Sequence, residues 1–166
     1  MIALDNAYGW LNQFQGSSLS RTEMILRDII FNKVSSNDNK EAHKKIKILL
    51  SYDSDSQNQF QSGEIWLECG MAIYKMGNLF EANEYFEKAV NQFPPESHEH
   101  AVALWMLGSV QWEIEKSPDA SRNWEKAIDE FRILEKKAEE NRRMSEKNWY
   151  ELKIKDLEAS IVQKLI

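Results

Sequence analysis

The sequence predicts an all-α fold of antiparallel helix pairs stacked as a solenoid, with capping helices at the N- and C-terminal ends. Three observations predict it. Small and aromatic residues recur at a shift of 38 positions: Gly70 to Gly108, Ala82 to Ala120, Phe86 to Trp124 and Ala89 to Ala127. Self-similarity of that period marks a repeat array. Apolar residues fall at helical i, i+3, i+4 intervals along the chain, and only three Pro and six Gly punctuate it.

Taken in order, residues 1–19 begin with Leu4, Ala7, Tyr8, Leu11 and Phe14 on one helical stripe, closed by Gly16-Ser17-Ser18. Ser20 and Glu23 form a capping-box pair, with Leu19 and Met24 placed as a hydrophobic staple. The helix they open is apolar around much of its circumference, which requires burial on more than one side. Asp38 and Glu41 offer a second capping box. Ala42, Ile46 and Leu49 then stand 40 residues before Ala82, Phe86 and Ala89, so residues 20–52 read as a degenerate first helix pair, with an unrelated helical hairpin as the other reading.

Residues 53–62 are polar and long for a link between helices. Asp53, Asp55 and Glu64 fall at the first, third and twelfth places of a calcium-loop spacing. Asn58 occupies the place of the sharp-turn glycine and Gln57 replaces a ligand, so the reading is a solvated loop without metal. In residues 63–96, Trp66, Cys69, Gly70 and Ile73 form a packing face, Gly77-Asn78 makes the interhelix turn, and Ala82, Phe86 and Ala89 pack back against it. Glu81, Glu84 and Glu87 read as the outer side of that second helix, and Pro94-Pro95 stops it. His98-Glu99-His100 lies in a four-residue insertion and reads as exposed loop histidines.

Residues 101–134 repeat the pair with an extended second helix, opened by Ser117 as N-cap and Pro118 at the first helical position. Near Met144 the apolar phase changes. Trp124, Ile128, Phe131, Leu134 and Ala138 define one stripe; Tyr150, Ile154, Leu157, Ile161 and Leu165 lie about half a turn from its continuation. A break between Arg142 and Lys147, with Ser145 as N-cap, reconciles the two stripes. Residues 145–166 then form a capping helix, within a single domain spanning 1–166.

The stretch 63–96 resembles a tetratricopeptide repeat, whose pattern is W-x2-L-G-x2-Y…A-x3-F…P. Cys69 stands where Leu is usual and Ile73 where Tyr is usual, both apolar. In 101–134, Leu107-Gly108, Ala120, Trp124 and Ala127 hold, while Trp105 is one place off, Gln111 replaces Tyr and Arg132 replaces Pro. The resemblance covers under half of the chain well.

The chain of 166 residues carries a net charge of −6. Residues 51–131 hold 15 Asp/Glu against 5 Lys/Arg, a local net of −10, while the first fifty and last thirty-five each come to +2. That distribution shows no basic stripe and disfavours nucleic acid; a basic partner segment is favoured. No apolar run reaches the roughly 18 residues of a membrane span and no signal peptide is visible, so a cytoplasmic protein is expected. Cys69, the single cysteine, reads as a core residue. With no phosphate loop, nucleophile motif or ligand cluster, no enzyme activity, cofactor or metal is expected.

In the first helix of 63–96 the row opposite the packing face is Glu64, Leu67, Met71 and Tyr74. Its counterpart 38 residues on is Val102, Trp105, Ser109 and Trp112, with Glu113 at the rim. The tetratricopeptide resemblance implies that this row lines a groove holding a partner. A hydrophobic or amphipathic segment with basic flanks fits its aromatics and acidic rim, which suits an adaptor or chaperone-like protein. The alternative is a subunit of a fixed complex, its groove filled by the chain's own terminal helix or by a second copy in a homodimer.

Overall fold

The computed structural model describes residues 39–51, 59–116 and 118–165. Among these every regular element is helical: α1 (Asn39–Ser51), α2 (Gln59–Lys75), α3 (Leu79–Gln92), α4 (His98–Glu115), a 3-10 turn (Pro118–Ser121), α5 (Arg122–Glu140) and α6 (Met144–Leu165). The helix expected over 1–19, the first helix of the 20–52 pair, and Asp53 and Asp55 of the calcium-like spacing lie outside the described residues. The chain, expected as one domain, divides into two compact units, Met1–Phe93 and Pro94–Ile166. The division falls at the proline pair. Phe93 is extended at φ −85° and ψ 144°, as a residue before proline prefers.

In the first unit α2 and α3 pack as an antiparallel pair across a tight turn. Gly77 adopts φ 87°, its N–H donates to the Tyr74 carbonyl at 3.0 Å, and the Asn78 N–H reaches the Ile73 carbonyl at 3.2 Å. These are the two bonds of a Schellman ending, which requires a left-handed residue at this place. Asn78 then caps α3 by accepting from the Glu81 N–H. Ile65, Ile73, Ala82, Phe86 and Ala89 have no exposed surface; each large apolar side chain so buried contributes about 1.5–3 kcal/mol. Gly70 is required by proximity, since a Cβ there would stand 2.7 Å from the Phe86 ring. From α1, Ala42 and Ile46 complete the core.

In the second unit α4 is buried on nearly every side, from Ala101 to Gly108 and at Val110 and Trp112. It begins at His98, three residues earlier than expected, because the Ser97 hydroxyl accepts from the His100 N–H at 3.1 Å and supplies a start. The same glycine–aromatic contact recurs here: a Cβ on Gly108 would lie 2.6 Å from Trp124. The 38-residue recurrence is therefore a recurrence of one packing contact. Pro118 opens a 3-10 turn before α5, and its expected N-cap Ser117 lies outside the described residues.

The expected break is present but earlier, at 141–143, and Ser145 sits within the first turn of α6 instead of capping it. Arg142 takes φ 58°, its N–H bonding the Glu139 carbonyl at 3.0 Å and that of Arg143 the Ala138 carbonyl at 2.8 Å. This is a second Schellman ending, with arginine in the place usually held by glycine. The break lets Tyr150, Ile154 and Leu157 bury themselves along α5 while Ala138 is fully buried on the other stripe.

Candidate protein-binding surface

The predicted row falls in both units. On α2, Leu67 and Met71 are buried at 0% and 2% exposure, whereas Glu64 and Tyr74 at the row's ends are partly accessible. On the opposite side, Cys69 is buried as expected. Trp66 meets Tyr85 edge-on at 5.3 Å, and the Lys88 ammonium stands 4.2 Å over its ring, a cation–π contact.

On α4, Val102, Trp105 and Trp112 are buried, Ser109 is partly accessible and Glu113 is exposed. Trp105 packs edge-on against Phe131 of α5 at 6.3 Å and Trp149 of α6 at 6.4 Å. The buried Lys153 ammonium lies 5.8 Å from both the Trp105 and Trp149 rings and pairs with Asp156 at 3.5 Å. Trp112 stacks on Trp124. Trp124 Nε1 donates to the Trp105 carbonyl at 3.2 Å and to the Ser109 hydroxyl at 3.1 Å. Trp105, expected on an open groove, lies instead in an aromatic core with Phe131 and Trp149, and Trp112 is covered by Trp124 of α5. Trp149, which carries this contact, stands in the second turn of α6.

His98 and His100 are not loop residues. His98 is 4% exposed, edge-on to Trp149, with Nδ1 at 3.2 Å from the Tyr150 hydroxyl; burial holds its pKa well below the ordinary imidazole value. His100 pairs with Glu130 at 2.8 Å. The two rings diverge onto different helices, and among the described residues no His, Cys, Asp or Glu groups converge as metal ligands.

Glu81 also departs from its expected outward place. It accepts from the Tyr85 hydroxyl at 2.6 Å, from Asn78 at 2.9 Å and from Lys47 at 3.2 Å, and faces His43 at 3.1 Å. Burial opposes its charge, but the hydrogen bonds from Tyr85, His43 and Lys47 outweigh it and lower its pKa. Tyr85 is pushed up to about 12 by burial and by Glu81. The carboxylate joins α1 to α3.

A feature that summed charge concealed is a basic stripe. Lys40, Lys44 and Lys47 stand at i, i+4, i+7 on α1 and all three are exposed, opposite the buried Ala42 and Ile46. Comparison of the sequence with models of known protein families and with curated proteins gives no match. Among the described residues, no helix is long and apolar enough to cross a membrane.

Proposed function

We propose that this chain is a non-enzymatic protein–protein interaction module whose acidic helices take a partner's amphipathic segment with basic flanks. The observation that supports it best is the glycine–aromatic contact made by Gly70 with Phe86 and again by Gly108 with Trp124, within a stretch of net charge −10. Repeated helix pairs that bury small-on-large contacts leave their remaining faces for a ligand. Glu64 and Tyr74 keep partial exposure at the two ends of the α2 row, and a carboxylate at one end with an aromatic at the other suits an extended segment with a lysine or arginine flank. The tetratricopeptide resemblance supports an adaptor or chaperone role. Titrating a labelled amphipathic peptide with lysine flanks tests this reading. Binding that weakens with salt and with Tyr74→Ala is expected; equal affinity for a glutamate-flanked control, or none for either, would sink it.

A second reading is favoured by Trp149 lying on Trp105. In it the α4 half of the row is permanently filled and the chain serves as a structural subunit of a fixed complex. Tyr74→Ala separates the two, since only the first reading ties peptide binding to that residue.

A further inference from the structure

Two exposed rows with the same spacing and opposite charge lie on neighbouring helices of the first unit. On α1 the row is Lys40, Lys44, Lys47; on α3 it is Phe80, Glu84, Glu87, again at i, i+4, i+7. The two helices run in the same direction and are linked through their side chains. His43 meets Glu81 and Lys47 meets Tyr85, both pairs 38 residues apart, a constant offset that only parallel neighbours give. Phe80, 74% exposed, is the most exposed large apolar side chain among the described residues.

We propose that these two rows form a self-complementary surface on which two copies of this chain associate. A two-fold axis parallel to the helices lays α1 of one copy over α3 of the other, and the reciprocal contact follows from the symmetry. Lys40 and Lys44 of each copy then meet Glu84 and Glu87 of its partner, while Lys47 stays on Glu81 and Tyr85 of its own chain. Phe80 at the amino end of the acidic row lies toward the Lys40 end of the partner's α1, whose aliphatic stem it can cover. Charge complementarity sets orientation and encounter rate, and the aromatic supplies the apolar anchor that exposed ion pairs lack. This surface is separate from the α2 row and does not depend on what occupies that row, so peptide binding and self-association can fail independently.

Sedimentation and light scattering of the full chain test the proposal. Dimers are expected at low salt, dissociating as salt shortens the screening length from about 30 Å toward about 3 Å. Reversing the acidic row with Glu84→Lys and Glu87→Lys should weaken association at least about tenfold, as should Lys40→Glu with Lys44→Glu, or Phe80→Ser alone. Combining both reversals should restore the dimer, an outcome that a folding defect cannot produce. If a reversed variant loses helicity, Glu84→Gln with Glu87→Gln carries the same test. A monomer at every concentration in low salt overturns the proposal, including one that binds a polyglutamate peptide through α1. So does a dimer indifferent to all these changes, or a combined reversal that stays monomeric.

Discussion

The hydroxyl of Tyr150 on α6 lies 3.2 Å from Nδ1 of His98, the first residue of α4. Around this pair stand Trp149, edge-on to the imidazole, and the charges of Glu146, Glu99 and Arg143 near the hydroxyl. Burial first, and then Glu146 and Glu99, raise the Tyr150 pKa. A neutral imidazole suits this place and a charged one does not.

Stability should therefore depend on acid. The His98 pKa is lowered in the folded chain, so the unfolded chain binds the proton more readily. The contribution is complete above the ordinary imidazole value of 6.5. It declines as pH falls, at about 1.4 kcal/mol per pH unit, until the buried ring itself protonates. Urea unfolding of wild type and His98→Gln between neutral and mildly acidic pH checks it. The variant should be less stable at pH 7 and lose less on acidification; parallel pH profiles would contradict the assignment.

Trp105→Ala should cost about 3–5 kcal/mol, because the indole is buried against Phe131 and Trp149 of the same unit. Denaturant midpoints measure it. A loss near zero would mean that α6 does not hold that position in solution.

Gly108→Ala should cost about 1–3 kcal/mol by overpacking. The added methyl meets Trp124 Cδ1 at 2.6 Å and the Trp124 backbone nitrogen at 3.1 Å, and a backbone atom cannot swing aside. A thermal midpoint equal to wild type would place Trp124 elsewhere.

Arg142→Gly should stabilise by up to about 1 kcal/mol. A non-glycine residue in the left-handed region costs about 1–2 kcal/mol, partly offset by the greater chain entropy of glycine when unfolded. Arg142 is exposed and sits at φ 58°. Chemical unfolding at pH 7 measures the change, and any destabilisation would contradict the Schellman geometry.

Helices, turns and the repeated small-on-large contact were legible because each rests on local spacing. Gly77 and Pro94-Pro95 mark their turns by chemistry alone, and the stripe change near Met144 disclosed a break. What escaped rests on contacts distant along the chain. Nothing beside His98 says that Trp149 and Tyr150, some fifty residues later, will enclose it. Glu81 faces outward on a wheel drawn for α3 alone, and inward once α1 is beside it. The lysine stripe vanished in the sum over fifty residues, and the break moved because an arginine at positive φ carries no compositional mark.

The two glycine–aromatic contacts differ in one respect. Trp124 carries an indole N–H, and the hydroxyl of Ser109 is one of its two acceptors. Thirty-eight residues earlier, Phe86 has no proton to place and the position matching Ser109 is Met71. The second contact is therefore polar as well as steric. A phenylalanine at position 124 would fill the glycine notch but leave the Ser109 hydroxyl and the Trp105 carbonyl without the indole donor, a cost that the Phe86 contact does not carry.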